Sequence, residues 1–363
     1  MAGIHGGYWV SMKKFLSFDE ALAQTVNQTR ILILGNGFSI ACKPEIFTYG
    51  SLFSQADFSL NPLLPKVFEQ LGTQDFEIAI NTLENSSKLV PIYKSALEDV
   101  AKSMHEDAQA LKKILISTVT KNHPNAPFDV DEEEYFACRS FLSNFIGDSK
   151  GQIFTLNYDL LLYWTLMRTE FTDGSSVELV ARDGFGDDDP EAKEEYVVWQ
   201  GEAGGARSSV FFLHGALHLF DDGAALRKFT WRRTDKRLKD QAWSAIQANS
   251  LPLFVAEGTS KAKMNKITHN AYLFQAYRTL KSSVTKTRAA FFVHGHSLAD
   301  SDDHILKLLG RGKFPDLYVG LHGDPSSDSN QTIVKRARAL SEMRRYNALE
   351  VHFYDTSTAH VWG

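Results

Sequence analysis

Short apolar segments that end in glycine or a polar residue constrain the fold of this chain more than any other feature of its sequence. The first covers residues 30–34 and is apolar from Ile31 onward. An apolar run without alternation predicts a strand buried on both faces, as in a parallel sheet covered by helices. The same pattern predicts core strands at residues 152–156, 210–213, 253–255 and 289–293, and two closing strands at 316–321 and 349–354.

Helical patterns separate most of these strands. Ser17 and Glu20 have the spacing of a capping box, which predicts a helix from there to about residue 28. Further helices are predicted at residues 158–167, 240–248, 266–284, 302–309 and 330–346. Strands that alternate with helices predict an α/β fold with a doubly wound, Rossmann-like parallel sheet. Ligands of such sheets bind beyond the carboxyl ends of the strands.

Two regions depart from this alternation. Residues 60–145 have helical spacing and no strong strand, which predicts a large helical insertion into a core made of residues 1–59 and 146–363. Residues 217–219 and 229–231 flank a predicted hairpin turn at 220–223, and residues 183–190, rich in glycine and aspartate, are predicted to form a loop.

Charge and cysteine content exclude several classes of protein. The net charge of −5 gives no general attraction to nucleic acid or to an anionic membrane, so neither is expected as a partner. The two cysteines, Cys42 and Cys138, cannot form a disulfide framework or a four-cysteine zinc site. Residues 1–10 lack the apolar segment of a secretory signal, which favours the cytoplasm, and either Met1 or Met12 can be the native start.

The first predicted strand runs into a glycine turn. Its residues are Gly35, Asn36, Gly37, Phe38 and Ser39. Such a turn lets a phosphate approach the backbone and the N-terminus of the next helix. The full dinucleotide fingerprint is incomplete, because isoleucine stands at position 40 where the last glycine is expected. A nucleotide turn and a plain tight turn therefore remain equally good interpretations.

Polar side chains also follow the second and third predicted strands. Asn157 and Asp159 come after residues 152–156, and His214 comes after residues 210–213. Asn157 has the groups to hold a ribose hydroxyl or a water molecule, and Asp159 either orients a neighbour or caps the next helix. A neutral imidazole is a good general base near pH 7, which makes His214 a candidate catalytic residue.

The fourth and fifth strands end in further candidates. Gly258, Thr259 and Ser260 suit contacts to phosphate or ribose, or form a plain turn with a helix cap. Gly295, His296 and Ser297 suit a nucleotide-contacting turn, followed by a helix that Asp302 would cap. The chief rival is a metal site, for which the sequence offers His294, His296, Asp300, Asp303 and His304.

Taken in order, these strand ends resemble the sirtuin-like NAD-binding family. GNGFS is similar to the glycine turn of that family, TLNYD to its Asn-containing strand end, FLHG to its catalytic His-Gly, EGTS to its GTS and VHGHSLADSD to its late G-x-S-x-x-D turn. The resemblance covers about residues 31–309. In its helical stretch and motif details the chain is closer to the bacterial sirtuin-like effectors that deplete NAD during phage attack. It lacks the four-cysteine zinc module of the deacetylases, so water becomes the expected acceptor.

The resemblance implies an NAD hydrolase that releases nicotinamide and ADP-ribose, with NAD as substrate and no metal. It implies that His214 is the general base, that Asn157 positions the ribose or water, and that Asp159 orients the site. The glycine turn, Thr259, Ser260 and the 295–297 turn would contact the dinucleotide. It further implies a homo-oligomer and an activating partner such as an ATPase or an Argonaute-like protein. A non-catalytic NAD or ADP-ribose sensor, a protein ADP-ribosyltransferase, and a metal-dependent phosphoesterase or nuclease remain the alternatives.

Overall fold

A six-stranded parallel sheet forms the centre of the protein. In the computed structural model, which describes residues 15–147, 150–179, 181–185, 196–201, 208–230, 236–248, 250–345 and 347–363, the strand order is β4-β2-β1-β7-β8-β9. These strands are β1 (Thr29–Leu34), β2 (Gln152–Thr155), β4 (Val210–Phe212), β7 (Ala289–His294), β8 (Asp316–Leu321) and β9 (Glu350–Asp355). Read along the chain, this is the 3-2-1-4-5-6 order of a dinucleotide-binding sheet, and it confirms the predicted Rossmann-like α/β class.

Alternate residues of the strands face two apolar layers. On β1, Leu32 and Leu34 belong to one buried cluster, whereas Ile31 and Ile33 belong to the other. Burial on both faces explains why the strands read as continuous apolar runs in the sequence. The sheet therefore lies in the middle of the core, and its carboxyl edge is left for a ligand.

Helices cover both faces of this sheet and follow most of its strands. They are α1 (Phe18–Gln24), α2 (Gly37–Cys42), α3 (Pro44–Phe47), α4 (Tyr49–Gln55), α5 (Leu64–Leu71), α6 (Phe76–Tyr93), α7 (Glu98–Asn122), α8 (Glu132–Ile146), α9 (Leu161–Met167), α10 (Leu238–Gln247), α11 (Ser260–Thr268), α12 (Ala271–Ser283), α13 (Asp303–Arg311) and α14 (Asp328–Glu342). The predicted capping box at Ser17 is present and begins α1. Within the described residues, no helix is long and apolar enough to cross a membrane.

The predicted helical stretch contains α5 to α8, and its helices pack in two ways. Helices α6 and α7 form an antiparallel pair that borders the carboxyl edge of the sheet. Helix α8 instead lies on the sheet, where Phe141 and Phe145 pack with Phe18 and where the ring of Phe145 also contacts Phe292 of β7. The same stretch of chain thus supplies both a border of the ligand edge and part of the central core.

The predicted strand at residues 253–255 is wrong. Phe254 makes only an isolated antiparallel bridge to Gly215, and the neighbouring amides hydrogen-bond to residues that follow β4 rather than to the parallel sheet. The segment is buried beneath this connection, so its apolar side chains indicate burial and not sheet membership. The predicted helix at residues 266–284 is two helices, α11 and α12, because Asn270 caps a new helix start.

The predicted hairpin is present, although its turn lies later in the chain. Strands β5 (Leu219–Asp221) and β6 (Leu226–Phe229) pair antiparallel, and β3 (Tyr196–Val198) pairs with the other edge of β6. The turn closes with a hydrogen bond from Asp222 N to Ala225 O. Residues 186–190 of the predicted glycine-aspartate loop lie outside the described residues, as does residue 231.

Candidate active site

A cavity of about 1090 Å³ runs along the carboxyl edge of the sheet, across the point where strand order reverses between β1 and β7. Its lining includes Gly35, Gly37, Asn157 and His214, which the sequence analysis placed at three separate strand ends. The volume slightly exceeds the range of roughly 300–1,000 Å³ that is usual for pockets of drug-sized ligands. The four residues therefore share one cleft with room for a dinucleotide.

The bottom of the cleft is made of the two glycine turns after β1 and β7, residues 35–37 and 295–296, which we call the cleft floor. Gly37 N donates a hydrogen bond of 2.7 Å to Gly295 O. A Cβ atom on Gly35 would lie 2.6 Å from Gly295 O, and one on Gly37 would lie 2.6 Å from Gly295 Cα. The glycines are therefore required by the approach of one turn to the other.

Several N–H groups of the turn after β1 donate hydrogen bonds to carbonyl groups of the same turn. Phe38 N donates to Gly35 O, and both Ser39 N and Ile40 N donate to Asn36 O. The Phe38 side chain is fully buried against Trp362, whose Nε1 donates to Phe38 O at 2.8 Å. The N–H groups of Gly37, Phe38 and Ser39 at the start of α2 are thus paired, whereas the N–H of Asn36, a residue that lines the cleft, donates to no group within the described residues.

A chain of buried hydrogen bonds joins the end of β2 to this turn. Asn157 Nδ2 donates to Gly35 O and to Ser39 Oγ, both at 3.0 Å. Ser39 Oγ in turn donates to Asp159 Oδ2 at 2.5 Å, and Asp159 Oδ1 accepts from Leu161 N at the start of α9. Asp159 therefore orients a neighbouring side chain, one of the two roles predicted for it, but it is not the N-cap of α9, because Leu160 occupies that position. The Asn157 side-chain oxygen has no partner among the described residues and belongs to a side chain that lines the cleft.

His214 borders the cleft from the other side. Its Nε2 lies 3.3 Å from His304 Nε2 and 3.8 Å from Asp302 Oδ1. Burial lowers the pKa of His214 well below its usual value, and the positive charge of Lys263 adds to the effect. A neutral imidazole is therefore present near pH 7, which is the form a general base requires.

Beside the cleft lies a group of ionisable side chains, which we call the charged wall: Glu77, His214, Lys263, Asp302 and His304, all buried except Glu77, which is partly exposed. Lys263 is fully buried and donates to Glu77 Oε2 at 2.7 Å and to Asp302 Oδ1 at 2.9 Å. Burial alone would lower the pKa of Lys263, but the two carboxylates overcome it and raise that pKa. Burial alone would raise the pKa of Asp302, but a hydrogen bond from His296 and the Lys263 charge hold it well below its usual range. The single ammonium group of Lys263 is thus shared by two carboxylates, whose charges it offsets only in part.

The remaining predicted contacts fall into two groups. Gly258 and Ser297 line the cleft, and Ser297 O accepts a hydrogen bond from Arg336, a cation that also lines it. Thr259 instead caps α11 by accepting from Ala262 N, and Ser260 Oγ lies 3.3 Å from His304 Nδ1. The cap interpretation thus holds for Thr259. Asp302 occupies the N-cap position of α13 as predicted, but its side chain makes no cap bond, because its oxygens bond Lys263 and His296 instead.

The metal ligands that the sequence offered do not come together. His294 Nδ1 bonds Tyr354, Asp303 pairs with Lys307, and the largely exposed Asp300 faces Arg336. A different trio does converge within the described residues, since ligand atoms of His214, Asp302 and His304 lie within 4.8 Å of one another. The Lys263 ammonium group already contacts the carboxylate of this trio, so a divalent cation there would meet a fixed positive charge. The trio fits a metal poorly.

Comparison with known families shows which family the chain belongs to. A family model described as a domain of unknown function, DUF4917, matches residues 32–362. The chain belongs to this family. No curated protein matches the sequence.

Sequence reasoning about this DUF4917 protein missed the charges behind His214. Glu77 lies inside α6, and Lys263 lies inside α11, 186 positions further along the chain. Nothing local marks either residue, because each has the helical setting of an ordinary solvated charge. The one signal near the site was Asp302, and its place at a helix start made the capping role the natural interpretation.

Proposed function

We propose that this protein cleaves NAD into nicotinamide and ADP-ribose. The observation that carries the proposal is the meeting of Asn157 and His214 in one cleft beside the glycine turns at Gly35 and Gly37. The switch point of a 3-2-1-4-5-6 sheet is where dinucleotides bind, which supports NAD as the ligand. The resemblance of the strand ends to sirtuin-like proteins supports the reaction, by analogy.

The enzyme need not protonate the leaving group in this reaction. NAD carries a pyridinium on its ribose, so the C–N bond breaks with both electrons going to nicotinamide, which leaves neutral. Water forms the new C–O bond at the same carbon, and its proton passes to His214. The positive charge that develops on the ribose is the feature to be stabilised, as in glycoside hydrolysis.

Asn157 supplies the other half of the catalytic arrangement. Both of its amide hydrogens are held by Gly35 O and Ser39 Oγ, so the side chain is fixed. Its carbonyl oxygen is then the atom that accepts a hydrogen bond from a ribose hydroxyl or from the attacking water. Asp159 orients Asn157 indirectly, because it fixes the Ser39 hydroxyl group.

Within the described residues, the turn after β7 has more unpaired N–H groups than the start of α2, where only that of Asn36 is unpaired, so we assign the pyrophosphate to the turn after β7. The N–H groups of His296 and Ser297 donate to no group within the described residues, and Arg336 lines the same part of the cleft. Backbone N–H groups beside a guanidinium are well suited to phosphate oxygens. Gly35 and Gly37 then contribute through their lack of side chains, which leaves space for the dinucleotide above the cleft floor.

The biological setting of the proposal follows from the resemblance to bacterial effectors. It comprises a cytoplasmic homo-oligomer that depletes NAD on phage infection after an activating partner engages it, for example an ATPase or an Argonaute-like protein. This setting rests on family analogy alone.

The test is incubation of the purified protein with NAD, followed by chromatography for nicotinamide and ADP-ribose. His214→Ala should lower kcat by about 10²–10⁴ because it removes the general base. His105→Ala, an exposed histidine of α7, is the matched control and should keep the parent rate. Equal nicotinamide release by His214→Ala and parent would refute the assignment of the base.

The same preparation separates the alternatives. NAD binding in calorimetry without nicotinamide release, also in the presence of candidate activators, would identify a sensor. Loss of activity on addition of EDTA would favour metal-dependent hydrolysis, whereas the proposed reaction should proceed unchanged. Transfer of labelled ADP-ribose to protein instead of water would identify a transferase.

A further inference from the structure

The two ring nitrogens of His214 lie in different surroundings. Nε2 faces His304 Nε2 at 3.3 Å and Asp302 Oδ1 at 3.8 Å, on the side of the charged wall. Nδ1 hydrogen-bonds to no group in the described part of the chain, and His214 lines the cleft. In neutral His214 only one ring nitrogen carries the proton, and the other has a lone pair. If the proton is on Nε2, the lone pair is on Nδ1 and is free to accept a proton from a substrate or water.

Contact between two neutral imidazoles limits the possible tautomers. At the contact of His214 Nε2 with His304 Nε2, one nitrogen must carry hydrogen and the other must accept it. The nearby Asp302 carboxylate favours an N–H on the His214 side, because Asp302 Oδ1 lies near that nitrogen. His304 then accepts at Nε2 and carries its own hydrogen on Nδ1, which faces Ser260 Oγ at 3.3 Å.

We propose that His304 and Asp302 are positioning residues that hold the proton of His214 on Nε2 and so make Nδ1 the basic atom of the active site. This inference rests on the proposed function for the identity of the reaction. During turnover, a water O–H bond breaks and the proton binds His214 Nδ1. The ring becomes a cation with both nitrogens protonated, and Asp302 stabilises that cation through its negative charge.

Packing supports a dedicated role for His304. Its ring lies nearly parallel to that of His214, with centroids 5.5 Å apart and planes at 20°. Both of its nitrogens face polar partners, and the residue is buried at the start of α13. With a polar partner at each nitrogen, the tautomer of His304 is fixed by its surroundings, as the positioning role requires.

The first experiment compares two substitutions of His304. His304→Phe keeps a ring in place but cannot accept a hydrogen bond, so kcat should fall by about tenfold or more while KM for NAD stays unchanged. His304→Gln places a carbonyl oxygen near the former Nε2 and should restore most of kcat. His218→Phe, which replaces another buried histidine whose ring nitrogens make no hydrogen bond within the described residues, is the matched control and should retain activity. Equal kcat in His304→Phe and parent would overturn the proposal.

The second experiment does not depend on catalysis. Nitrogen-15 NMR of histidine-labelled protein at neutral pH distinguishes a protonated ring nitrogen from one with a lone pair. In the parent, His214 should show protonated Nε2 and a lone pair on Nδ1, and His304→Phe should give a mixture of tautomers. A protonated Nδ1 in the parent would refute the proposal even if NAD is cleaved. The expected tautomer in a protein that releases no nicotinamide, also in the presence of candidate activators, would keep the positioning role and refute the hydrolase.

Discussion

The cleft floor and the charged wall border the same cavity but are held by different interactions. In the floor, Gly37 and Gly295 join through backbone hydrogen bonding and through the absence of side chains. In the wall, Lys263 is buried with two carboxylates, and every charge depends on its partners. We therefore expect the floor to respond to added volume and the wall to respond to removal of a charge.

The cleft floor and the charged wall therefore determine different properties of the cleft, its shape and the protonation state of His214. The floor fixes how closely a ligand approaches the sheet, and it does so with uncharged groups. The wall sets the protonation state of His214, because burial and the Lys263 charge lower the pKa of that residue. Substitutions in the two regions should accordingly change different measurements, and their sizes can be ranked.

The largest effect is expected for Lys263→Met. The substitution leaves the buried Asp302 and the partly exposed Glu77 without their cation, so the free energy of unfolding should fall by about 3–5 kcal/mol. Urea denaturation measures the loss. The double substitution Lys263→Met with Glu77→Gln removes one of the two uncompensated charges and should recover part of it. A Lys263→Met protein as stable as the parent would show that the wall does not depend on charge pairing.

A smaller loss is expected for Gly295→Ala in the floor. Gly295 has φ +68°, and a Cβ atom would lie 2.6 Å from Phe38 N, so strain and overlap together should cost roughly 2–4 kcal/mol. Gly323→Ala is the matched control, because Gly323 has φ +71° but open space around it. Its cost should be about 1 kcal/mol, from the backbone conformation alone. Equal losses at the two glycines would show that the approach of the turns contributes nothing.

The smallest effect is expected for a buried polar side chain with no partner. Neither ring nitrogen of His218 has a hydrogen bond within the described residues, and burial lowers its pKa to about 3. The unfolded state therefore binds one more proton than the folded state between about pH 3 and 6.5, so stability falls as pH decreases through this window. His218→Phe removes that loss, and between pH 7 and 5 its advantage over the parent should grow by about 2 kcal/mol.

Denaturation of the parent and of His218→Phe at the two pH values measures this advantage. His105→Phe, at an exposed site, serves as the control and should show no dependence of this kind. An advantage that stays constant with pH would mean that His218 takes up a proton in the folded protein. The absence of hydrogen-bond partners would then not distinguish His218 from the side chains of the charged wall.

The fold was largely predictable because its signals are local. Strands such as β8 read as apolar runs, since both faces of the sheet are covered, and the end of each run coincides with the carboxyl edge. The segment around Phe254 misled the same reasoning, because an apolar run indicates burial without indicating which neighbour it pairs with. The break at Asn270 was missed because an asparagine inside a helical pattern resembles a tolerated polar position.

The site was predictable only in part, for the same reason. Asn157 and His214 were found from their positions at strand ends, which the topology brings together. Glu77 and Lys263 could not be found, because their significance comes from a contact between distant helices. Thr259 and Ser39 were assigned to the ligand, but each has an internal partner that the motif alone does not reveal.

The Lys263–Glu77 pair also limits which segments of the protein can be deleted or exchanged independently. Glu77 belongs to the helical stretch at residues 60–145, and Lys263 belongs to the core that surrounds it. An expression product lacking that stretch would carry an ammonium group in its interior facing a single carboxylate and would lose the helix that lies on the sheet. A chimera between relatives should therefore take residues 60–145 and the segment that contains Lys263 from the same parent, so that Glu77 and Lys263 stay paired.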